Sequence, residues 1–265
     1  MKSISQVFTD LNNQCALIPF ITAGDPNLEC TEQVLKILDQ EGADIIELGL
    51  PYSDPLADGP IIQEASRKAL SKGITLDKIL SMVTKVTFSI NAPLILFTYY
   101  NPILSRGIKK FLIDIAQAGI KGLIIPDLPV EEADYVIDLC KTVSLELILL
   151  ITPTSSQSRV KSILSKSSQV VYVVSATGVT GFRDQINIEM KDFIKSIKAQ
   201  TDKTIILGFG ISTTNHVNQI SQWEIDGIVI GSAFVKRLAN NPQDNHFDNL
   251  TTFCSSLKKV LTDKC

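Results

Sequence analysis

Short apolar runs recur along the chain without alternation, and segments of helical period separate them. The runs LILF, LIIP, LILLI, VVYVV, TIIL and IVI have no polar face, as strands buried on both sides do not. Eight strands are predicted near Ala16–Ile21, Asp44–Leu48, Pro93–Thr98, Gly122–Pro126, Leu145–Ile151, Gln169–Val174, Lys203–Leu207 and Asp226–Ile230. Between them, apolar residues fall at i, i+3, i+4 and i+7. Leu28–Gln40 presents Leu28, Val34, Leu35 and Leu38 on one helical face. Pro102–Ala118 does so with Leu104, Ile108, Phe111, Leu112 and Ile115, and Glu131–Val143 with Ala133, Val136, Ile137 and Cys140. Eight such units predict an α/β fold, a closed (β/α)8 TIM barrel spanning residues 1–265 as one domain. An open doubly wound sheet is the alternative. A helix before Cys15 is expected to cap the barrel bottom, and Asp248–Leu261 to close the ring of helices.

Strand spacing singles out two connections. Most strands start 23 to 29 residues apart, enough for one crossover helix, but 49 residues separate the second start from the third and 34 the sixth from the seventh. The first excess holds a Pro/Asp-rich loop and an extra helix near Thr75–Phe88. The second holds the loop SATGVTGFRDQINI. Both extended loops follow strands, so both belong to the C-terminal face, where barrel active sites lie. Lids are the better reading of them than disorder.

The stretch DIIELGLPYSDPLADGP, Asp44 to Pro60, carries the first candidate chemistry. Glu47 stands among Ile45, Ile46, Leu48 and Leu50. A carboxyl in an apolar strand is costly unless paired or neutral, so its pKa should be raised, as an acid/base group near neutral pH requires. A structural Glu bonded to a neighbouring strand is the plainer alternative. Asp58, before Gly59, alone reads as a turn residue. Beside a buried Glu it becomes the second of two carboxyls in unlike surroundings, able to divide acid and base roles. Glycines follow strands six, seven and eight, at Gly178 and Gly181, at Gly208 and Gly210, and at Gly231 before Ser232. The last pair opens a helix, whose free N–H groups suit a phosphate. Tyr172 lies inside VVYVV, and Phe20, Phe97 and Ile124 near strand ends; core packing explains each as well as a pocket does.

Composition narrows the partners. Hydrophobic residues make up 45% and charged residues 20%, with a net charge of −3, which gives no reason to expect nucleic acid or an anionic membrane. Five cysteines (Cys15, Cys30, Cys140, Cys254, Cys265) without a CxxC read as free thiols, and no metal site is expected. No run suggests a membrane span, a secretory signal or a transit peptide. A cytoplasmic location is expected, or the plastid stroma if the chain is made there.

PFITAGDPN, IIELGLPYSDPLADGPIIQ, PDLPVEE, SATGVTG, GFGIS and GSAFVK, in this order and spacing, resemble the tryptophan synthase alpha subunit family across essentially the whole chain. The resemblance implies a lyase that cleaves indole-3-glycerol phosphate to indole and D-glyceraldehyde 3-phosphate, without a cofactor of its own, in tryptophan biosynthesis. It implies Glu47 as acid/base, Asp58 as the carboxylate facing the indole N–H, and Tyr172 as the active-site tyrosine. Thr180, Gly181, Phe209, Gly210, Gly231 and Ser232 match the phosphate side, and Phe20, Phe97 and Ile124 the indole pocket. It further implies a pyridoxal-phosphate beta subunit in an alpha2beta2 heterotetramer, met through Pro51, Asp54, Asn101 and Pro129. Ala176 stands where some members carry Arg, and Phe97 is bulkier than the aliphatic residue of some relatives. The alternatives are another phosphate-binding barrel, a stand-alone indole-releasing lyase, and a non-catalytic activator of the beta partner.

Overall fold

The structure, a computed structural model, describes residues 1–174, 188–208, 210–239 and 247–263. From the N-terminus the elements are α1 (Ile4–Leu11), β1 (Ala16–Thr22), α2 (Leu28–Gln40), β2 (Ile46–Gly49), α3 (Pro60–Ser71), α4 (Leu76–Val86), β3 (Leu94–Phe97), α5 (Tyr100–Arg106) and α6 (Ile108–Gln117). They continue with β4 (Gly122–Ile124), α7 (Ala133–Thr142), β5 (Glu146–Ile151), α8 (Gln157–Lys166), β6 (Val170–Val174), α9 (Ile188–Lys198), β7 (Thr204–Gly208), α10 (Thr214–Ile220), β8 (Gly227–Ile230), α11 (Ser232–Ala239) and α12 (Asp248–Thr262).

Each strand pairs in parallel with its neighbours in chain order, and β8 returns to β1, with Ala16 opposite Gly227 and Ile18 opposite Val229. The sheet is therefore a closed barrel. Closure explains the missing alternation. One set of strand side chains, including Leu17, Ile21, Leu48, Leu96 and Ile228, packs outward against the helices. The alternate set, including Ile18, Phe20, Ile45, Ile95, Ile124, Ile148 and Ile206, fills the interior. Both faces are dry, so both are apolar.

Local signals set the ends of the elements. Asn27 caps α2 by accepting the Cys30 N–H (2.7 Å), and Thr75 caps α4. Gly59 and Pro60 start α3, with Pro at its first position, where no N–H is needed. At the bottom, α1 sends Ile4 and Val7 into the interior cluster, and the Ser5 N–H and hydroxyl both donate to the Glu146 carboxylate. At the same end α12 seals the ring: Lys258 Nζ meets both Asp44 oxygens at 2.7 and 2.8 Å, and Asp44 also accepts the Leu17 N–H at 2.7 Å.

The helical segment expected over Pro102–Ala118 is two helices. Gly107, at φ +85°, ends α5 and begins α6. A Cβ there would meet nothing within 4 Å, so the backbone conformation, not space, calls for glycine. The long second connection holds the expected extra helix as α4, preceded by α3. The long connection after β6 falls at 175–187, outside the described residues.

Candidate active site

Alternation along each strand decides what reaches the barrel mouth. At β2 it turns Glu47 inward, on the same side as Ile45 just before the strand, and Glu47 lies opposite Phe20 of β1 and Ile95 of β3. Glu47 is 1% exposed, and its Oε2 has no hydrogen-bond partner among the described residues. A buried, unpaired carboxyl favours its neutral form. Burial first, then the negative charge of Asp58, push Glu47 up to about 8. The plainer alternative, a Glu bonded to a neighbouring strand, does not hold for that oxygen. The carboxyl is thus an acid that holds its proton at neutral pH.

Asp58 reaches the same mouth from the loop before α3. Its N–H donates to the Pro55 carbonyl (3.1 Å), and its carbonyl accepts from Gln63 Nε2 (2.8 Å), so the backbone turns as the Asp–Gly pair predicts. The carboxyl has a second task. Burial raises it to about 6, against a lowering hydrogen bond from the Tyr99 hydroxyl. At pH 7 Glu47 is mostly protonated and Asp58 mostly ionised. Two carboxyls thus divide into an acid and an anion by environment alone.

Tyr172, 7% exposed on β6, completes the group. Burial and the Glu47 charge raise its hydroxyl well above the ordinary range, so it stays neutral. Glu47 feels Asp58, and Tyr172 feels Glu47. The three residues expected to be catalytic do converge.

The three residues expected around an aromatic ring are neighbours as well. Phe20 and Phe97 meet edge to face with centroids 5.9 Å apart, and Ile124 pairs with Phe97 between β4 and β3. Gly49 makes this possible: a Cβ on it would stand 2.6 Å from Phe20 Cζ. Gly231 and Ser232 lie at the β8–α11 junction, and a Cβ on Gly231 would touch Phe20 and Ile62 only at ordinary distances of 3.5–3.6 Å. Gly210 is exposed and faces open space. Thr180, Gly181 and Phe209, with Ala176, lie outside the described residues.

Of the residues expected at a partner surface, Asp54, Asn101 and Pro129 are exposed, whereas Pro51 is buried. His216 sits in the first turn of α10, with its N–H on the Thr213 hydroxyl. Cys140 and Cys254 are buried, Cys15 is partly buried, and none of the three is in a disulfide. Among the described residues, no cluster of His, Cys, Asp or Glu could hold a metal, and no helix is long and apolar enough to cross a membrane.

Sequence reasoning missed Tyr99. It is 3% exposed, its hydroxyl accepts the Ala57 N–H (2.9 Å), and its ring stacks on Tyr52. The signal was present: Ile95, Phe97 and Tyr99 share the inward parity of β3. Thr22, 2% exposed on β1 and opposite Gly49, was missed too; its hydroxyl has no partner among the described residues.

Known proteins share this fold. A model of the family Tryptophan synthase alpha chain matches residues 8–262. The tryptophan synthase alpha chain of Pyropia yezoensis is 56% identical over 261 residues, covering 98% of this chain and 99% of that one. The crystal structure of tryptophan synthase subunit alpha from Legionella pneumophila str. Paris superposes with a TM-score of 0.91 at 33% identity, covering 99% of each chain. A chain from the a2b2 complex of Pyrococcus furiosus, solved in work on mutual activation within that complex, gives a TM-score of 0.87 at 33% identity and covers 92% of this chain and 98% of its own.

Proposed function

The chain belongs to the tryptophan synthase alpha chain family, and on that premise we propose how its own residues carry out the alpha reaction. That reaction cleaves indole-3-glycerol phosphate to indole and D-glyceraldehyde 3-phosphate. The observation that carries the proposal is the unpaired, buried Glu47 Oε2 beside a second carboxyl of lower pKa.

Breaking the bond between indole C3 and the glycerol carbon needs a proton on C3. Glu47, protonated at neutral pH, supplies it. The ring becomes an indoleninium cation, and the ionised Asp58 at N1–H offsets that charge, most strongly where water is excluded. Glu47, now a carboxylate, takes the proton of the adjacent glycerol hydroxyl. The carbonyl forms, the C–C bond breaks, and its electron pair returns to the ring as neutral indole. Glu47 ends protonated, as it began. The cycle asks for no cofactor on this chain. Tyr172, kept neutral, offers a hydrogen-bond donor beside Glu47. Phe20, Phe97 and Ile124 pack the indole. The Gly231–Ser232 junction, with Gly210, Phe209, Thr180 and Gly181, receives the phosphate at the positive end of α11.

The same reading makes residues 1–265 one domain and gives it a pyridoxal-phosphate beta subunit as partner, in an alpha2beta2 assembly. Support comes from exposed Asp54, Asn101 and Pro129, and from large apolar side chains left in solvent on the elements after β2, β3 and β4. Leu56 is 83%, Leu104 51% and Tyr135 60% exposed. A location in the cytoplasm or plastid stroma goes with this reading. Indole release from indole-3-glycerol phosphate by the purified chain, with and without an added beta subunit, tests it. Slow release alone that rises on addition is expected. Equal rates would leave a stand-alone lyase, and no release in either case would leave an activator without catalysis.

A further inference from the structure

We propose that Tyr99, braced by Tyr52, is the positioning residue that holds Asp58 at the barrel mouth. This rests on the reading of Asp58 as the anion that offsets ring charge.

The loop that carries Asp58 has little else to hold it. Leu56 N–H reaches Asp54 and Asp58 N–H reaches Pro55, while Gln63 meets the Asp58 carbonyl five residues along the chain. Among the described residues, the hydrogen bond that ties 53–58 to a distant part of the chain runs to one atom, the Tyr99 hydroxyl oxygen. It accepts the Ala57 N–H at 2.9 Å, and its closeness to the Asp58 carboxyl lowers the pKa of that group. One oxygen thus grips the backbone immediately before Asp58 and bears on its carboxyl.

Tyr99 itself stands on rigid ground. The Thr98 N–H donates to the Ile124 carbonyl (3.0 Å) and the Tyr100 N–H to Asp127 Oδ1 (2.8 Å), fixing the backbone on both sides. Its ring meets Phe97 edge to face at 6.3 Å and stacks on Tyr52 at 5.1 Å, with 29° between planes. The Tyr52 hydroxyl takes the Asn101 amide (3.2 Å), which holds the bracing ring in turn. A carboxylate on a tight turn has several staggered positions. A donor fixed on the strand end selects one of them and, by favouring the charged form, opposes the burial that would neutralise it. The titratable neighbours of this pair are Glu47 on β2 and Asp127 after β4.

The test is indole release by the purified chain as Tyr99→Phe, Asp58→Asn and the double variant, with kcat and KM measured from pH 5 to 9. Tyr99→Phe is expected to lower kcat about tenfold, the worth of one hydrogen bond to a charged group, with a smaller change in KM. The acid limb of kcat should move to higher pH, because the bond that lowers the Asp58 pKa is gone. In the Asp58→Asn background, Tyr99→Phe should cost less than about twofold more, since a residue acting through Asp58 has nothing left to act on. Full additive losses, or a wild-type kcat and acid limb in Tyr99→Phe while Asp58→Asn is impaired, overturn this proposal alone. A wild-type kcat in Asp58→Asn overturns the reading beneath it as well. Should Tyr99→Phe fail to fold, Tyr52→Leu removes the brace and leaves the hydroxyl. The same upward move of the acid limb is expected, and an unmoved limb overturns the proposal.

Discussion

Tyr172 and Gly208 share one space: a Cβ on Gly208 would stand 2.7 Å from Tyr172 Cε1 and 2.8 Å from Cζ, and nearer still to the hydroxyl oxygen. The two lie on adjacent strands, β6 and β7. The glycine is therefore part of the tyrosine's site.

Gly208→Ala should displace the Tyr172 ring. Overpacking of this kind costs about 1–3 kcal/mol. A fall in melting temperature together with a loss of indole release is expected. If Gly208→Ala keeps both, the ring moves aside freely and its placement matters little.

Glu47→Gln should abolish indole release, a loss of at least about a hundredfold, because no proton reaches C3. The barrel should remain intact, by circular dichroism, since the amide fills the same volume. Release at the wild-type rate would remove Glu47 from the acid/base role.

The same carboxyl makes stability depend on pH. Its pKa rises from 4.5 to about 8 on folding, so the folded state binds the proton more tightly. The stabilisation is complete below pH 4.5 and is lost as pH rises through about 8, on the order of 5 kcal/mol at 1.36 per unit. Denaturant unfolding of the wild type should show stability falling over this window. Glu47→Gln, which does not titrate, should flatten the fall, and an unchanged slope would mean that Glu47 is not the group responsible.

The rate should also be bell-shaped in pH. Ionised Asp58 sets an acid limb near 6, and protonated Glu47 an alkaline limb near 8. Asp58→Asn removes the charge that helps to raise Glu47, so Glu47 should titrate at lower pH, as carboxyl-carbon NMR would read. No change in that titration would separate the two groups electrostatically.

Phe97→Leu loses edge contacts to both Phe20 (5.9 Å) and Tyr99 (6.3 Å). Each such pair is worth about 0.5–1.5 kcal/mol. A weaker fold and an altered KM for indole-3-glycerol phosphate are expected. A KM within error of wild type would place Phe97 in the core and outside the pocket.

Much of this was legible in one dimension. Unalternated runs such as VVYVV and LILLI declared strands dry on both faces, and their number and spacing declared the barrel, because burial on two sides leaves no position for a polar residue. Glu47 was conspicuous for the same reason: it breaks such a run. The break between α5 and α6 was not legible, because the apolar period continues through Gly107 and only its left-handed backbone interrupts it. Tyr99 was hidden differently. Its parity was readable, but its meaning depends on Ala57 and Asp58, which lie more than forty residues away. Periodicity is a local property and determined where the chain would be strand or helix. Which carboxyl keeps its proton and which stays charged was decided by burial, by the Asp58–Glu47 approach and by the Tyr99 hydroxyl, all of which exist only once the barrel has closed.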